Sequence, residues 1–174
     1  MRRAALLGLL LAAGAAQAAT FKATLLLRDD DPRLERGRTE RPALGQPGGP
    51  AAQALDVALK EAKTELDAEG AAISLDTVKV ASAAAARDAA AKAEKAGAAA
   101  LLADLPADWL LAAADGAKAT PLLNLGEAAD RLRQADCRPR LLHLLPSERM
   151  RADALAQVLA QRQRVGAHAF ARQQ

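Results

Sequence analysis

Apolar residues along the chain recur with two alternating periods, and the alternation predicts the fold class. "FKATLLLRDDD" holds the continuous run Leu25, Leu26 and Leu27, the pattern of a strand covered on both faces, as in a parallel sheet. From Ala51 to Glu69 the period lengthens. Leu55, Leu59, Ala62 and Leu66 fall on one helical face, and Lys60, Glu61, Lys63 and Glu65 fall outside it. Gly70 is the predicted stop, because glycine takes the left-handed C′ conformation at little cost. In "AISLDTVKV", Ile73 and Leu75 alternate, and then Val78 and Val80 alternate in the opposite phase. That change predicts a strand with a bulge near Asp76.

Ser82 is placed to cap an Ala-rich helix running to Lys95, which Gly97 ends. "AAALLAD" reads as a buried third strand. Pro106 suits the first turn of the helix that carries Trp109, Leu110 and Leu111, and Gly116 breaks it. "TPLLNLG" and "RPRLLHLLPS" supply two more short apolar runs, and a last helix is predicted from about Glu148 to Arg164. The order β-α-β-α-β-α-β-loop-β-α predicts an α/β fold, an open, mostly parallel sheet with helices on both faces. Right-handed crossovers then bring the loops after the strands to one edge, where ligands of such sheets bind.

The termini change the charge argument. Arg2 and Arg3, the apolar run Ala4 to Gly14 and the small-x-small site Ala16-Gln17-Ala18 read as an export signal cleaved after Ala18. The apolar run is far shorter than a spanning helix requires. The expected organisation is a signal peptide over 1–18, one α/β lobe over 19–163 and an irregular tail over 164–174, in a periplasmic protein. Removing two of the 24 basic residues leaves 22 against 21 acidic ones, a net +1. With two Phe, one Trp and no Tyr, there is no basic, aromatic-interleaved surface, and nucleic acid is not an expected partner. One cysteine excludes an internal disulfide. The stretch from Arg28 to Pro50, mixed in charge and closing on "ALGQPGGP", reads as a long exposed loop.

Candidate chemistry is sparse. Cys137 and His143 offer a nucleophile and a base, but their spacing is not diagnostic, since such pairs meet in space. The plainer reading is a half-buried thiol and a strand-borne imidazole. A metal needs three or four ligands, and neither residue has a partner motif. "GQPGG" carries neither a dinucleotide fingerprint nor a Walker lysine, so no cofactor is expected. "RDDD" reads as a solvated loop. Asp104 stands where a buried strand hands over to a helix, placed to cap that helix or to touch a ligand, and Asn124 stands similarly after the next strand. Arg131 and Arg133 could hold a carboxylate or remain solvated. Nothing in these residues defines an enzyme.

At "LLADLPADWLLAAA", "PLLNLGEAADRLRQADCRPRLLHLLPS" and "ADALAQVLAQR" the chain resembles a specific family. These are the periplasmic substrate-binding proteins of ABC importers associated with pyrroloquinoline-quinone-dependent alcohol oxidation, within the type I, branched-chain-amino-acid-like group. "RLERGRTERPALGQPGGPAAQALDVALKEAKTELDAEGA" is similar to the family's entry loop and first helix, and the resemblance runs from about Phe21 to Gln163. It implies the first lobe of a two-lobed clamshell closing on a small-molecule solute and docking on an ABC permease at the inner membrane. A quinone-dependent dehydrogenase is a further implied partner. Carried over by motif position, the cleft candidates are Asp104, Leu105, Pro106, Asn124, Arg131, Arg133, Cys137, His143, Pro146 and Ser147.

The chain departs from the family in two respects. Members continue into a second α/β lobe, whereas here "LAQRQ" is followed by "RVGAHAFARQQ", so a chain shortened after its first lobe, with weak or absent solute affinity, is expected. Around "VKVASAAAA" and "LLADLPAD" only Thr77 and Ser82 offer hydroxyls of the kind leucine-type binding proteins use for an amino-acid carboxylate. Two rivals from other classes are a stand-alone periplasmic adaptor for a partner protein and an enzyme using Cys137 and His143.

Overall fold

The computed structural model describes residues 19–32 and 49–171, with side chains as far as Arg162. The expected signal segment and most of the loop after the first strand lie outside the described residues. Five strands form one all-parallel sheet: β1 (Ala19–Arg28), β2 (Ala71–Val80), β3 (Ala100–Asp104), β4 (Leu122–Asn124) and β5 (Leu141–His143). Their order across the sheet is β2-β1-β3-β4-β5. The helices are α1 (Ala51–Glu61), α2 (Lys63–Ala68), α3 (Ala83–Lys95), α4 (Ala107–Gly116) and α5 (Glu148–Ala171), with a 3-10 turn at Asp130–Arg133. The α/β architecture expected from the two periods is the one found.

Strand alternation puts Leu26, Leu101, Leu122 and Leu141 on one face. There they pack with Ala86 and Ala90 of α3 and with Leu110 and Ala113 of α4 to form the core. The alanine bias has a use at this point, because small side chains let two helices and a sheet approach closely. Gly116 lies at the tightest point. A Cβ there would stand 2.3 Å from the Arg87 carbonyl oxygen of α3, so this glycine is a close-packing residue as well as a helix end. Gly70 and Gly97 take φ of 62° and 80°, the left-handed stops predicted. Ser82 Oγ accepts from Ala85 N at 3.1 Å, the predicted cap of α3.

The turn that leads into β4 is held by a carboxylate from the last turn of α3, which precedes β3. Glu94 accepts from Thr120 N and Ala119 N at 2.7 Å each and from Lys118 N at 3.3 Å. These bonds, Thr120 first, hold its pKa below the ordinary glutamate value.

Three expectations are corrected. No bulge occurs at Asp76, and β2 pairs with β1 in unbroken register, Asp76 opposite Thr24. As the edge strand, β2 absorbs the change of apolar phase by leaving Ile73 and Val78 41% and 36% exposed. The helix expected over Ala51–Glu69 is divided into α1 and α2 by a turn at Ala62. The last helix continues to Ala171 where an irregular tail from 164 was expected. Residues 164–171 contain three alanines and no proline to stop propagation.

Candidate functional site

The loop after β1 leads to β2 on one side, while β3 pairs on the other. Connections that leave β1 and β3 in opposite directions open a crevice at the carboxyl edge, the topological switch point where ligands of open α/β sheets bind. Two cavities flank it. One, of about 280 Å³, lies between the ends of β1, β2 and β3 and the start of α1, and is walled by Arg28, Asp31, Thr77, Lys79 and Asp104. The other, of about 140 Å³, is walled by Arg28, Asp31, Pro32, Leu105, Pro106 and Glu127. Arg28 and Asp31 belong to both.

Arg28 is held in place by an aromatic ring. Its guanidinium carbon lies 5.4 Å from the centroid of the Trp109 ring on α4, a cation–π contact that orients the side chain across the crevice. Lys79 Nζ reaches Asp29 Oδ1 at 3.6 Å, tying the end of β2 to the loop after β1.

The expected cleft residues divide into three groups. Asp104, Leu105 and Pro106 line the crevice. Asp104 is not the cap of α4, however. The helix begins after Pro106, and its first amide, Ala107 N, is taken by Glu127 Oε2 at 3.2 Å.

Asn124, His143, Arg133 and Ser147 support the edge from behind. Asn124 is fully buried. Its Oδ1 accepts from Gly126 N at 3.2 Å and Glu127 N at 2.9 Å, and its Nδ2 donates to Glu127 O at 2.6 Å and to His143 Nδ1 at 2.9 Å. An amide Nδ2 only donates, so His143 Nδ1 must accept. Burial and the neighbouring Arg133 charge lower the His143 pKa, against a hydrogen bond with the Leu132 backbone that raises it. The ring is therefore kept neutral. Arg133 Nη2 donates to Leu145 O, and Nη1 is buried without a partner. Ser147 is buried and its Oγ caps α5 by accepting from Met150 N at 3.2 Å.

Arg131, Cys137 and Pro146 lie outside the crevice. Arg131 is spent on ion pairs with Asp108 and Asp136, which raise its pKa, Asp108 first. Pro146 is exposed, and Cys137 is exposed ahead of the amino end of β5. His143 is the last residue of that strand, which advances about 3.3 Å per residue. The thiol and imidazole thus stand at opposite edges of the sheet and form no nucleophile–base pair. Among the described residues no group of His, Cys, Asp and Glu is arranged to hold a metal ion.

Sequence reasoning missed Arg28, Asp31 and Glu127. The "RDDD" run read as solvated loop supplies both Arg28 and Asp31 to the crevice. The only signal was its place directly after the most apolar strand. A third cavity, about 330 Å³, lies at the opposite, amino edge, around Lys118, Thr120, Arg138 and Arg140. There Arg138 is engaged by Asp115 at 2.8 Å, and no topological crevice underlies it.

No protein-family model and no curated relative matches the chain. Solved structures do. A periplasmic binding protein from Burkholderia mallei is 19% identical with a TM-score of 0.55, over 75% of this chain and 32% of that one. A solute-binding protein of an ABC transporter from Rhodopseudomonas palustris, in complex with 3,4-dihydroxybenzoic acid, is 16% identical with a TM-score of 0.52, over 74% and 32%. The branched-chain amino acid transporter substrate-binding protein LivJ from Streptococcus pneumoniae, in complex with isoleucine, is 14% identical with a TM-score of 0.51, over 74% and 34%. The fold matches one lobe of a periplasmic binding protein, and the chain spans about a third of the length of these structures. Among the described residues, no helix is long and apolar enough to cross a membrane.

Proposed function

We propose that the chain is an exported, periplasmic solute-binding component of an ABC importer. Its carboxyl edge supplies one wall of the solute cleft, and the import system serves pyrroloquinoline-quinone-dependent alcohol oxidation. The observation that carries this reading is the pair of cavities meeting at Arg28 on the switch-point edge. Arg28 is pinned on Trp109 and so presents a donor face without ordering cost at binding. The likeness in fold to binding proteins supports the class, and the sequence resemblance supports the link to alcohol oxidation. One wall gives only part of the contact surface of a closed cleft, so affinity of the lobe by itself is weak. Calorimetry against short-chain alcohols, their acids and branched-chain amino acids tests it. Weak, saturable uptake of an alcohol, lost on Arg28→Met, supports the reading, and micromolar uptake by this lobe, or uptake unchanged in Arg28→Met, contradicts it.

A second reading, a periplasmic adaptor for a partner such as the dehydrogenase, is favoured by one surface. Leu142 on the edge strand β5 is 50% exposed, and Leu155, Val158 and Leu159 form an exposed apolar stripe on α5. A pull-down with the purified chain, compared with its Leu155→Glu variant, separates the two readings.

A further inference from the structure

The cavity at the amino edge of the sheet holds more positive charge than the fold neutralises. Lys118, Arg138 and Arg140 line it with a single carboxylate, Asp115. That carboxylate is already shared: Arg138 Nε donates to its Oδ1 at 2.8 Å, and Arg87 Nη2 stands 3.6 Å from its Oδ2. Two further carboxylates near this edge are committed elsewhere. Asp136 holds Arg131 at 2.8 Å, and Glu94 holds the three amides of the turn at 118–120. Among the described residues, Lys118 and Arg140 have neither an ion pair nor a side-chain hydrogen bond.

The backbones that carry these cations are fixed. Glu94 pins the turn that bears Lys118, and Arg140 O accepts from Leu122 N at 2.9 Å, which sets Arg140 beside the start of β4. Arg138 is anchored through Nε on Asp115 and through Nη1 on the Asp136 carbonyl at 3.3 Å. Like charges gathered on one hollow repel one another and attract an anion, and low-dielectric walls concentrate that field. The carboxyl end of α4 opposes it with about half an elementary charge, too little to reverse the sign. Ala117, Leu122 and Leu141 add an apolar lining, and the volume is about 330 Å³, within the range of small-molecule sites. An inorganic ion would leave that lining uncovered.

We infer that the amino edge is a second binding site, for a small organic monocarboxylate. Its anionic head meets Lys118, Arg138 and Arg140, and its apolar body lies against Leu122 and Leu141. The site is on the opposite edge from the solute crevice and does not depend on the solute-binding reading above.

The test is amide NMR on the full chain with hexanoate, 1-hexanol and inorganic phosphate as separate probes. Hexanoate is expected to move the Lys118, Thr120 and Arg140 amides saturably in the millimolar range, ahead of both other probes. Lys118→Gln and Arg140→Gln should each weaken it about tenfold, as loss of a charge-assisted bond implies. Arg140→Lys, which keeps the charge, should retain most of the affinity. Both side chains are exposed and unpaired, so these variants keep the fold. An equal response to 1-hexanol overturns the anionic head, and an equal response to phosphate overturns the apolar body. Unchanged affinity in both glutamine variants overturns the inference, as does hexanoate that moves only Arg28, Thr77 and Lys79. That last result leaves the solute crevice standing.

Discussion

Asn124 Nδ2 donates to His143 Nδ1 across 2.9 Å, locking the last residues of β4 and β5 together behind the crevice. The bond requires an unprotonated Nδ1, and the fold lowers the pKa of His143. Between the folded value and the unfolded value of 6.5, the unfolded chain binds more protons than the folded one. Stability is then fully present above 6.5 and falls as pH drops below it. We expect urea midpoints to decline from pH 6.5 down to the carboxylate range in the wild type, and to stay level there in His143→Gln. A wild type with no slope in that window would contradict the account.

Asn124 makes four hydrogen bonds from a fully buried position. Asn124→Ala strands the Gly126 and Glu127 backbone groups together with the imidazole. The expected loss is about 2–3 kcal/mol, read from denaturant midpoints. A loss under about 0.5 kcal/mol, the range of ordinary surface changes, would show that the loop is not held by this residue.

Gly116 gives a test in which the sign decides. Alanine for glycine inside a helix ordinarily stabilises by about 1 kcal/mol. At Gly116 the new Cβ meets the Arg87 backbone carbonyl oxygen at 2.3 Å, which cannot swing aside as a side-chain end could, and overpacking of that kind costs about 1–3 kcal/mol. Gly116→Ala is expected to lower the thermal midpoint. A raised midpoint would mean that α3 and α4 are not packed this closely.

Arg28 lies over Trp109 and belongs to both cavities. Arg28→Met keeps much of the stem and removes the charge. Stability should change by less than about 1 kcal/mol, the worth of an exposed cation–π contact. Affinity for an alcohol should fall about tenfold, as a lost charged donor implies. Calorimetry and thermal melting of the same samples read both quantities.

The parallel sheet was legible because its signals are local and repeated. The run at Leu25 to Leu27, the left-handed glycines 70 and 97 and the Ser82 cap each have one physical reading. The bulge at Asp76 was misread because the phase of an edge strand constrains its pairing weakly. Of the candidate site, Asp104 was singled out from its place at a strand end, and Leu105 and Pro106 from the family resemblance alone; all three line the cavities at the carboxyl edge. Asn124, His143 and Ser147 were found, but their role is to shape the edge. That role depends on partners such as the Glu127 backbone, the Leu132 backbone and Met150 N, which no spacing rule predicts. Arg28 and Glu127 were missed because each acts on a segment distant in sequence, Trp109 for one and Ala107 for the other. Cys137 and His143, six residues apart, are separated by the strand between them.

The most direct measurement maps where a solute binds. The amide spectrum of the full chain is recorded as 1-propanol is added, and the residues that shift are placed on the sheet. Binding at the switch point predicts movement of Arg28, Thr77, Lys79 and Asp104 at the carboxyl edge. Movement confined to Lys118, Thr120 and Arg140 around the amino-edge cavity would contradict it.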